Sequence, residues 1–332
     1  MNRTKNICLA IILAVSIVVG IKSIRPESYD KFTVLPSFPE NQTNPHKSYF
    51  DIDVKTNTQQ TLTIDITNQG DLPLIASINI VDASTSDNAQ LQFNSSEPDT
   101  SLLIPITSFT SVREEYLEIA PHSTEKAYID IDTDGVEFEG ARLAGINVSG
   151  QIVAQGIDFP SNEPVTYTVP LQMQMTYPSP PLNLNYVKTE TEMFEHNIHF
   201  ASKIQNSKPI YMNGVSFHGI ISDTQSRRVV GMVDIKNGAI APNSSFKVIY
   251  VGNHQPIEAG DYTVDLEIKH ESNVWKFRDS YTVTEEEAES AKEEVANLDF
   301  KAYVVTWVLI SIAGIMLCLI IYLFWRKHRE NI

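Results

Sequence analysis

The chain has 332 residues, 42% hydrophobic and 20% charged, with a formal net charge of −16. That length accommodates about two domains of ordinary size, and the acidic balance argues against nucleic acid or anionic lipid as a partner. Its two cysteines, Cys8 and Cys318, both lie inside apolar segments, which excludes a disulfide-stapled module and a thiol nucleophile for everything between them.

At the start of the chain, Arg3 and Lys5 precede an apolar stretch from Ile7 to Ile21, the order of a secretory signal. Residues 1–23 are predicted to be a signal peptide or, because Ile21, Lys22 and Ser23 make a poor small-x-small site, a retained signal anchor. Period-two alternation, the pattern of a half-buried strand, then recurs at Tyr49 to Val54, Thr61 to Thr67, Leu74 to Val81, Tyr116 to Ile119, Ala127 to Ile131 and Val165 to Met175. Turn signals such as Asn68 to Pro73 and Asp134-Gly135 separate these runs. Residues 84–101, rich in Ser, Thr, Asn and Asp, are predicted to form a long loop. Residues 30–178 therefore read as a first antiparallel β-sandwich of the immunoglobulin-like class.

The proline-rich segment Tyr177 to Leu184 favours extended chain and marks a boundary. A second sandwich is predicted over 180–284, with strands at Asn197 to Asn206, Ile210 to Ile221, Arg228 to Ile235, Phe246 to Val251, Gly260 to His270 and Val274 to Val283. The fold class is all-β, as two tandem immunoglobulin-like sandwiches flanked by an N-terminal signal helix and a C-terminal transmembrane helix. After Thr284, a plausible N-cap, the acidic segment 285–301 reads as a short stalk helix.

The 23 residues from Tyr303 to Trp325 carry no charge, long enough at ~1.5 Å per residue to cross a ~30 Å hydrocarbon core. Tyr303 and Trp307 near one end, Tyr322 and Trp325 near the other, and Arg326, Lys327 and Arg329 just beyond are the expected interfacial anchors. The predicted transmembrane helix is 302–325 and the predicted cytoplasmic tail 326–332. Residues 24–301 are expected outside a plasma membrane, where 19 basic and 40 acidic residues leave them at a net −21.

Candidate chemistry is sparse. Asp130, Asp132, Asp134 and Gly135 copy the first half of a calcium loop, but its twelfth position is Ala141 rather than Glu. A strand with outward acids entering an Asp-Gly turn is the expected reading, against a weak calcium site closed by Glu137 or Glu139. His196 and His199 are three apart in a strand-like segment, where that spacing puts them on opposite faces. No phosphate loop, Gly-x-Ser-x-Gly elbow or zinc-protease helix is present in the sequence, and nothing calls for a cofactor. Trp275 reads as a buried ring. The sequons at Asn94, Asn147 and Asn243 are taken as chance.

The segments FTVLPSFPENQ at 32–42, YFDIDVKTNTQQTLTIDITN at 49–68 and DGVEFEGARLAGINV at 134–148, followed by KIQNSKPIYMNGVSFHGII at 203–221, APNSSFKV at 241–248, AGDYTVDL at 259–266 and WKFRDSYTVTEEEA at 275–288, resemble the WxL-interacting protein family of Gram-positive surfaces in order and spacing. One departure is Leu143-Ala144-Gly145, where relatives often carry two adjacent glycines after a leucine. The resemblance implies a peptidoglycan-binding first domain and a second domain that binds host matrix proteins. The implied protein is a non-enzymatic adaptor that also engages WxL-domain proteins and is held to the bilayer by its C-terminal helix. The expected binding surface is the glycine-bearing stretch with Asp134, Gly135, Gly140 and Gly145, where glycines let a ligand approach the backbone. The alternatives are a wall-active hydrolase with a carboxylate site and a passive structural spacer.

Overall fold

The computed structural model describes residues 32–94, 98–152, 164–175, 180–194, 197–252 and 257–293, with 307, 308, 310, 311, 314, 316, 321 and 322. Contacts divide the chain into two units, Met1–Asp82 with Ile104–Pro178, and Ala83–Leu103 with Ser179–Ile332. Strand dominates both.

In the first unit, β1 (Phe32–Ser37), β2 (Phe50–Val54), β3 (Gln59–Asn68) and β4 (Leu74–Asp82) precede the segment that belongs to the second. That segment carries β5 (Ser84–Ser86) and β6 (Gln90–Gln92). The first unit resumes with β7 (Thr110–Val112), β8 (Tyr116–Ile119), β9 (Thr124–Asp132), β10 (Ala141–Ile152) and β11 (Val165–Met175). One sheet has the order β1-β3-β9-β7 and the other β2-β11-β10-β4-β8. All pairings are antiparallel except that of β2 with β11.

The alternation in the sequence becomes the two faces of these sheets. Leu62, Ile64 and Ile66 of β3 and Ala127, Ile129 and Ile131 of β9 meet Ala144, Ile146 and Val148 of β10 and Val169, Leu171 and Met173 of β11 in one core. Each fully buried aliphatic side chain contributes about 1.5–3 kcal/mol, so a core of this size needs no disulfide. Arg142 is buried here too: its guanidinium donates to the Ile104 carbonyl (2.9 Å), lies over the Phe138 ring (4.8 Å to the centroid) and is lowered in pKa by burial. Asp82 accepts from the main-chain N–H of Ile106 (2.7 Å) and from the Thr107 hydroxyl (2.5 Å). Together they stitch the returning chain to the sheet.

The second unit contains β12 (Asn185–Phe194), β13 (Asn197–Asn206), β14 (Met212–Asp223), β15 (Val229–Ile240), β16 (Ser244–Tyr250), β17 (Gly260–His270) and β18 (Asn273–Val283). Its sheets run β12-β13-β16 and β15-β14-β17-β18 over a core that includes Phe200, Phe217, Phe246, Tyr250 and Leu266. Trp275 is partly buried and packs against that core, as its place on a late strand suggests.

Residues 84–101 are not a bare loop. The β5–β6 hairpin packs within the second unit, where Asn88 N–H donates to the Lys247 carbonyl (2.8 Å) and Ala239 N–H donates to the Ala89 carbonyl (2.8 Å). Ala89 is fully buried in the second core. The hairpin thus covers β15 and β16, the edge strands of their two sheets, which would otherwise offer unpaired backbone.

A helix over 285–293 follows β18. Thr284 caps it: its hydroxyl accepts from Glu287 N–H (3.2 Å) while the Glu287 carboxylate accepts from Thr284 N–H (2.9 Å), a capping box. Among the described residues no helix is long and apolar enough to cross a membrane. Of the expected anchor residues, Trp307 is helical and half exposed, and Ser311 donates to its carbonyl (2.8 Å). Tyr303, Trp325, Arg326, Lys327 and Arg329 lie outside the described residues, as does the signal segment.

Candidate functional site

Every second residue of β4, β10 and β11 faces away from the first core. The pairing sets Ser77 beside Ser149 and Ser149 beside Thr166, and, one row on, Asn79 beside Asn147 and Asn147 beside Thr168. These six side chains, of which the central Asn147 is only 8% exposed, form an outward face of hydroxyls and amides with no charge among them. The Thr168 hydroxyl donates to Asn147 Oδ1 (2.7 Å), and the Ser149 and Thr166 hydroxyls stand 2.6 Å apart. Such hydrogen bonds fix the rotamers of small side chains and so pre-organise the surface. Tyr116, 70% exposed, lies opposite Ser77 at the rim.

This face runs into a cleft of about 550 Å³ whose walls include Asn79, Ile80, Thr107, Thr110, Val112 and Glu115. Neutral donors and acceptors beside an exposed aromatic ring suit an uncharged, hydroxyl- and amide-rich ligand, the ring covering an apolar sugar face and the amides pairing with acetamido groups. The uncharged patch is bounded by carboxylates, with Glu118 exposed on the same side two residues from Tyr116 and Glu115 in the cleft.

The residues expected from sequence are placed elsewhere. Asp130 and Asp132 are on β9, in the opposite sheet. Asp130 accepts both Arg113 Nε (3.1 Å) and Nη2 (2.6 Å), with the Thr61 hydroxyl at 2.7 Å, and the Arg113 hydrogen bond holds its pKa below the usual range. Asp132 accepts from Gln59 (3.0 Å) and from Asp134 N–H (3.0 Å). Among the described residues no group of three or more His, Cys, Asp or Glu is placed to hold a metal ion. His199 is buried on β13, and His196 lies outside the described residues.

The glycine-bearing stretch does not form one open surface. Asp134 and Gly135 are exposed at a turn, where Gly135 takes φ +66° and donates its N–H to Asn57 Oδ1 (3.0 Å). Gly140 is buried at a second left-handed turn (φ +63°), and Gly145 is buried in β10, between Val81 and Pro170. The expectation of a backbone-accessible site over Asp134, Gly135, Gly140 and Gly145 is corrected on this point, because β10 is the central strand of its sheet. Sequence reasoning missed the hydroxyl and amide face for a related reason: its residues come from three distant strands. The only local signal was polar residues at alternate positions, as in Thr166 and Thr168.

The second unit presents a different outer face. On its four-stranded sheet Asp265 holds Arg278 through two hydrogen bonds (2.6 and 3.0 Å), and Glu267 pairs with Lys276 (3.1 Å) and Lys269. The Lys269 and Lys276 hydrogen bonds lower the Glu267 pKa. These ladders border a shallow hollow of about 320 Å³ lined by His218, Ile220 and Phe277.

The WxL Interacting Protein peptidoglycan binding domain matches residues 32–150, and the WxL Interacting Protein host binding domain matches residues 162–293. These bounds interleave with the folded units: 83–103 lie in the first match but pack in the second unit, and β11 lies in the second match but pairs in the first unit. No curated protein matches the chain. Among solved structures, the YadV chaperone is 11% identical at a TM-score of 0.32, covering 76% of this chain and 100% of that one. The CsuC-CsuE chaperone-tip adhesion subunit complex of Acinetobacter baumannii is 9% identical at 0.33, covering 65% and 88%. The matched domains account for most of the chain in the order that the sequence segments implied, and the chain belongs to the WxL-interacting protein family.

Proposed function

We propose that the protein is a membrane-anchored adhesion protein of a Gram-positive cell surface that holds peptidoglycan with its first unit and a protein partner with its second. The observation that carries this is the uncharged hydroxyl and amide face of β4, β10 and β11, rimmed by Tyr116; Ser77, Asn79, Tyr116, Asn147 and Ser149 fall within the peptidoglycan-binding match, and Thr166 and Thr168 of β11 join them through pairing with β10. The glycan strand lies across that face. The paired charges of the second unit's outer sheet suit a protein surface, a WxL-domain protein or a host matrix protein, more than a sugar. Supporting the anchor are the uncharged run to Trp325 and the basic Arg326, Lys327 and Arg329, a pattern that favours a tail inside and both units outside.

The test uses the full-length protein in detergent micelles, mixed with purified sacculi and sedimented. The protein should pellet with the wall while soluble muropeptide stays at the level of a no-protein control. Release of muropeptide would overturn the adhesion reading in favour of a hydrolase. Absence from the pellet would leave a passive spacer.

A further inference from the structure

The cleft beside the hydroxyl and amide face has a feature that the face lacks: main-chain groups with nothing to bond. Ile78 N–H donates to the Glu115 carbonyl (2.8 Å), so by the alternation of a strand the N–H and C=O of Ile80, two residues on, point the same way, past the end of β8 and into the cleft. Across it, the Phe109 carbonyl accepts from Asp132 N–H (2.9 Å) and Arg113 N–H donates to the Tyr128 carbonyl (3.0 Å). Phe109 and Arg113 thus face β9, and the intervening Thr110 and Val112 turn their main-chain groups to the cleft. Among the described residues none of these cleft-facing groups has a partner. Both edges are short: β7 has three residues, about 10 Å at ~3.3 Å per residue.

Glu115 lines the same cleft, is exposed, and has no ion-pair partner among the described residues. The nearby cation, Arg113, is committed to Asp130 through both nitrogens. A short extended backbone beside a single unopposed carboxylate is complementary to a peptide of a few residues that carries an amine.

We propose that this cleft binds the amine-bearing stem peptide of peptidoglycan, its main chain against Ile80, Thr110 and Val112 and its amine at Glu115. This rests on the peptidoglycan reading above and adds the part of the polymer that the cleft recognises. The glycan on the neighbouring face and the stem in the cleft are then two contacts with one polymer. A cleft of about 550 Å³ is the size of small-ligand sites, and its short edges give a long partner strand little to pair with.

The probe is the synthetic tetrapeptide alanyl-γ-glutamyl-lysyl-alanine, fluorescently labelled, with its Nε-acetylated form for comparison. Binding to the full-length protein is read by anisotropy. The free amine should bind at least about tenfold more tightly than the acetylated form, and Glu115→Gln should abolish the difference. Val112→Pro removes a cleft-facing N–H without touching the β7–β9 ladder and should weaken both peptides. Glu115→Gln keeps the proposal falsifiable if the proline variant misfolds. Equal affinity for the two peptides, or discrimination unchanged in Glu115→Gln, overturns it. A parallel arm uses sacculi stripped of stems by an amidase: retention on stripped glycan with no tetrapeptide binding sinks this proposal while the glycan reading stands, and loss of both sinks the two together. Preference for a long polypeptide strand over the tetrapeptide also overturns it.

Discussion

Thr85 Oγ1 and Ser244 Oγ stand 2.6 Å apart although 159 positions separate them in sequence. The same Thr85 oxygen accepts from Ala241 N–H (2.9 Å), and both hydroxyl residues are buried. The hairpin that emerges after β4 is therefore hydrogen-bonded into the second sandwich as part of its structure. Thr85→Val keeps the shape and removes the acceptor, leaving Ala241 N–H buried without a partner at a cost of about 1–3 kcal/mol. Native-state hydrogen exchange on the full chain should show the Ala241 and Lys247 amides exchanging some tenfold or more faster, with β9 amides unchanged. Uniform acceleration through both units, or none, would count against this role.

The turn of that hairpin carries a strained residue. Asn88 and Ala89 both have left-handed φ, 63° and 56°, a conformation that costs an alanine roughly 1–2 kcal/mol. A Cβ placed on Gly238 would come within 3.0 Å of the Ala89 Cβ and of the Phe217 ring, so the Ala89 methyl already fills the space that Gly238 leaves. Ala89→Gly exchanges strain for a lost methyl contact and should change stability by less than about 1 kcal/mol. Ala89→Val and Gly238→Ala should each cost more than about 2 kcal/mol in urea unfolding. If Ala89→Val unfolded at the wild-type midpoint, the hairpin would not be seated as described.

Much of the framework was legible, and the reason is visible in β3 and β9. Leu62, Ile64 and Ile66 alternate with polar residues in the sequence and with exposed or half-buried ones in the sheet, because a strand packed on one face imposes a period of two. The β5–β6 hairpin has no such period. Its Thr85 and Ala89 are buried against β15 and β16 while Ser84, Ser86 and Asn88 are half-buried, so the information lies in those distant strands. The hydroxyl and amide face was illegible for the same reason: Asn79, Asn147 and Thr168 become neighbours only through register. Gly145 was legible as a glycine but not as the middle of a central strand.

A carboxylate cluster in the second unit gives a pH dependence of known sign. Lys188 and Lys247 both pair with Glu190, and the Lys188 hydrogen bond is the largest cause of its pKa lying below the ordinary 4.5. A carboxyl depressed in the folded state stabilises it above the unfolded pKa, and that contribution is lost as pH falls through the folded value. Stability should therefore be flat above about pH 5 and decline below 4.5, with Glu190→Gln removing roughly 0.5–1 kcal/mol at neutral pH and flattening the decline. Urea midpoints at pH 3.5 and pH 7 for the two proteins check this. An equal acid loss in the variant would assign the decline to other groups.

If the glycan lies on the hydroxyl and amide face of β4, β10 and β11, a bulky charge placed there should block it. Thr168 is exposed there, so Thr168→Lys places a long charged chain across the face without entering the core. Thr124→Lys, exposed on β9 in the opposite sheet, is the matched control. The most direct measurement is the sedimented fraction of each full-length variant with purified sacculi, after both are shown to unfold at the wild-type midpoint. Association should be at least about tenfold weaker for Thr168→Lys and at the wild-type level for Thr124→Lys; wild-type retention of Thr168→Lys, or equal loss in both, would rule out glycan binding on this face.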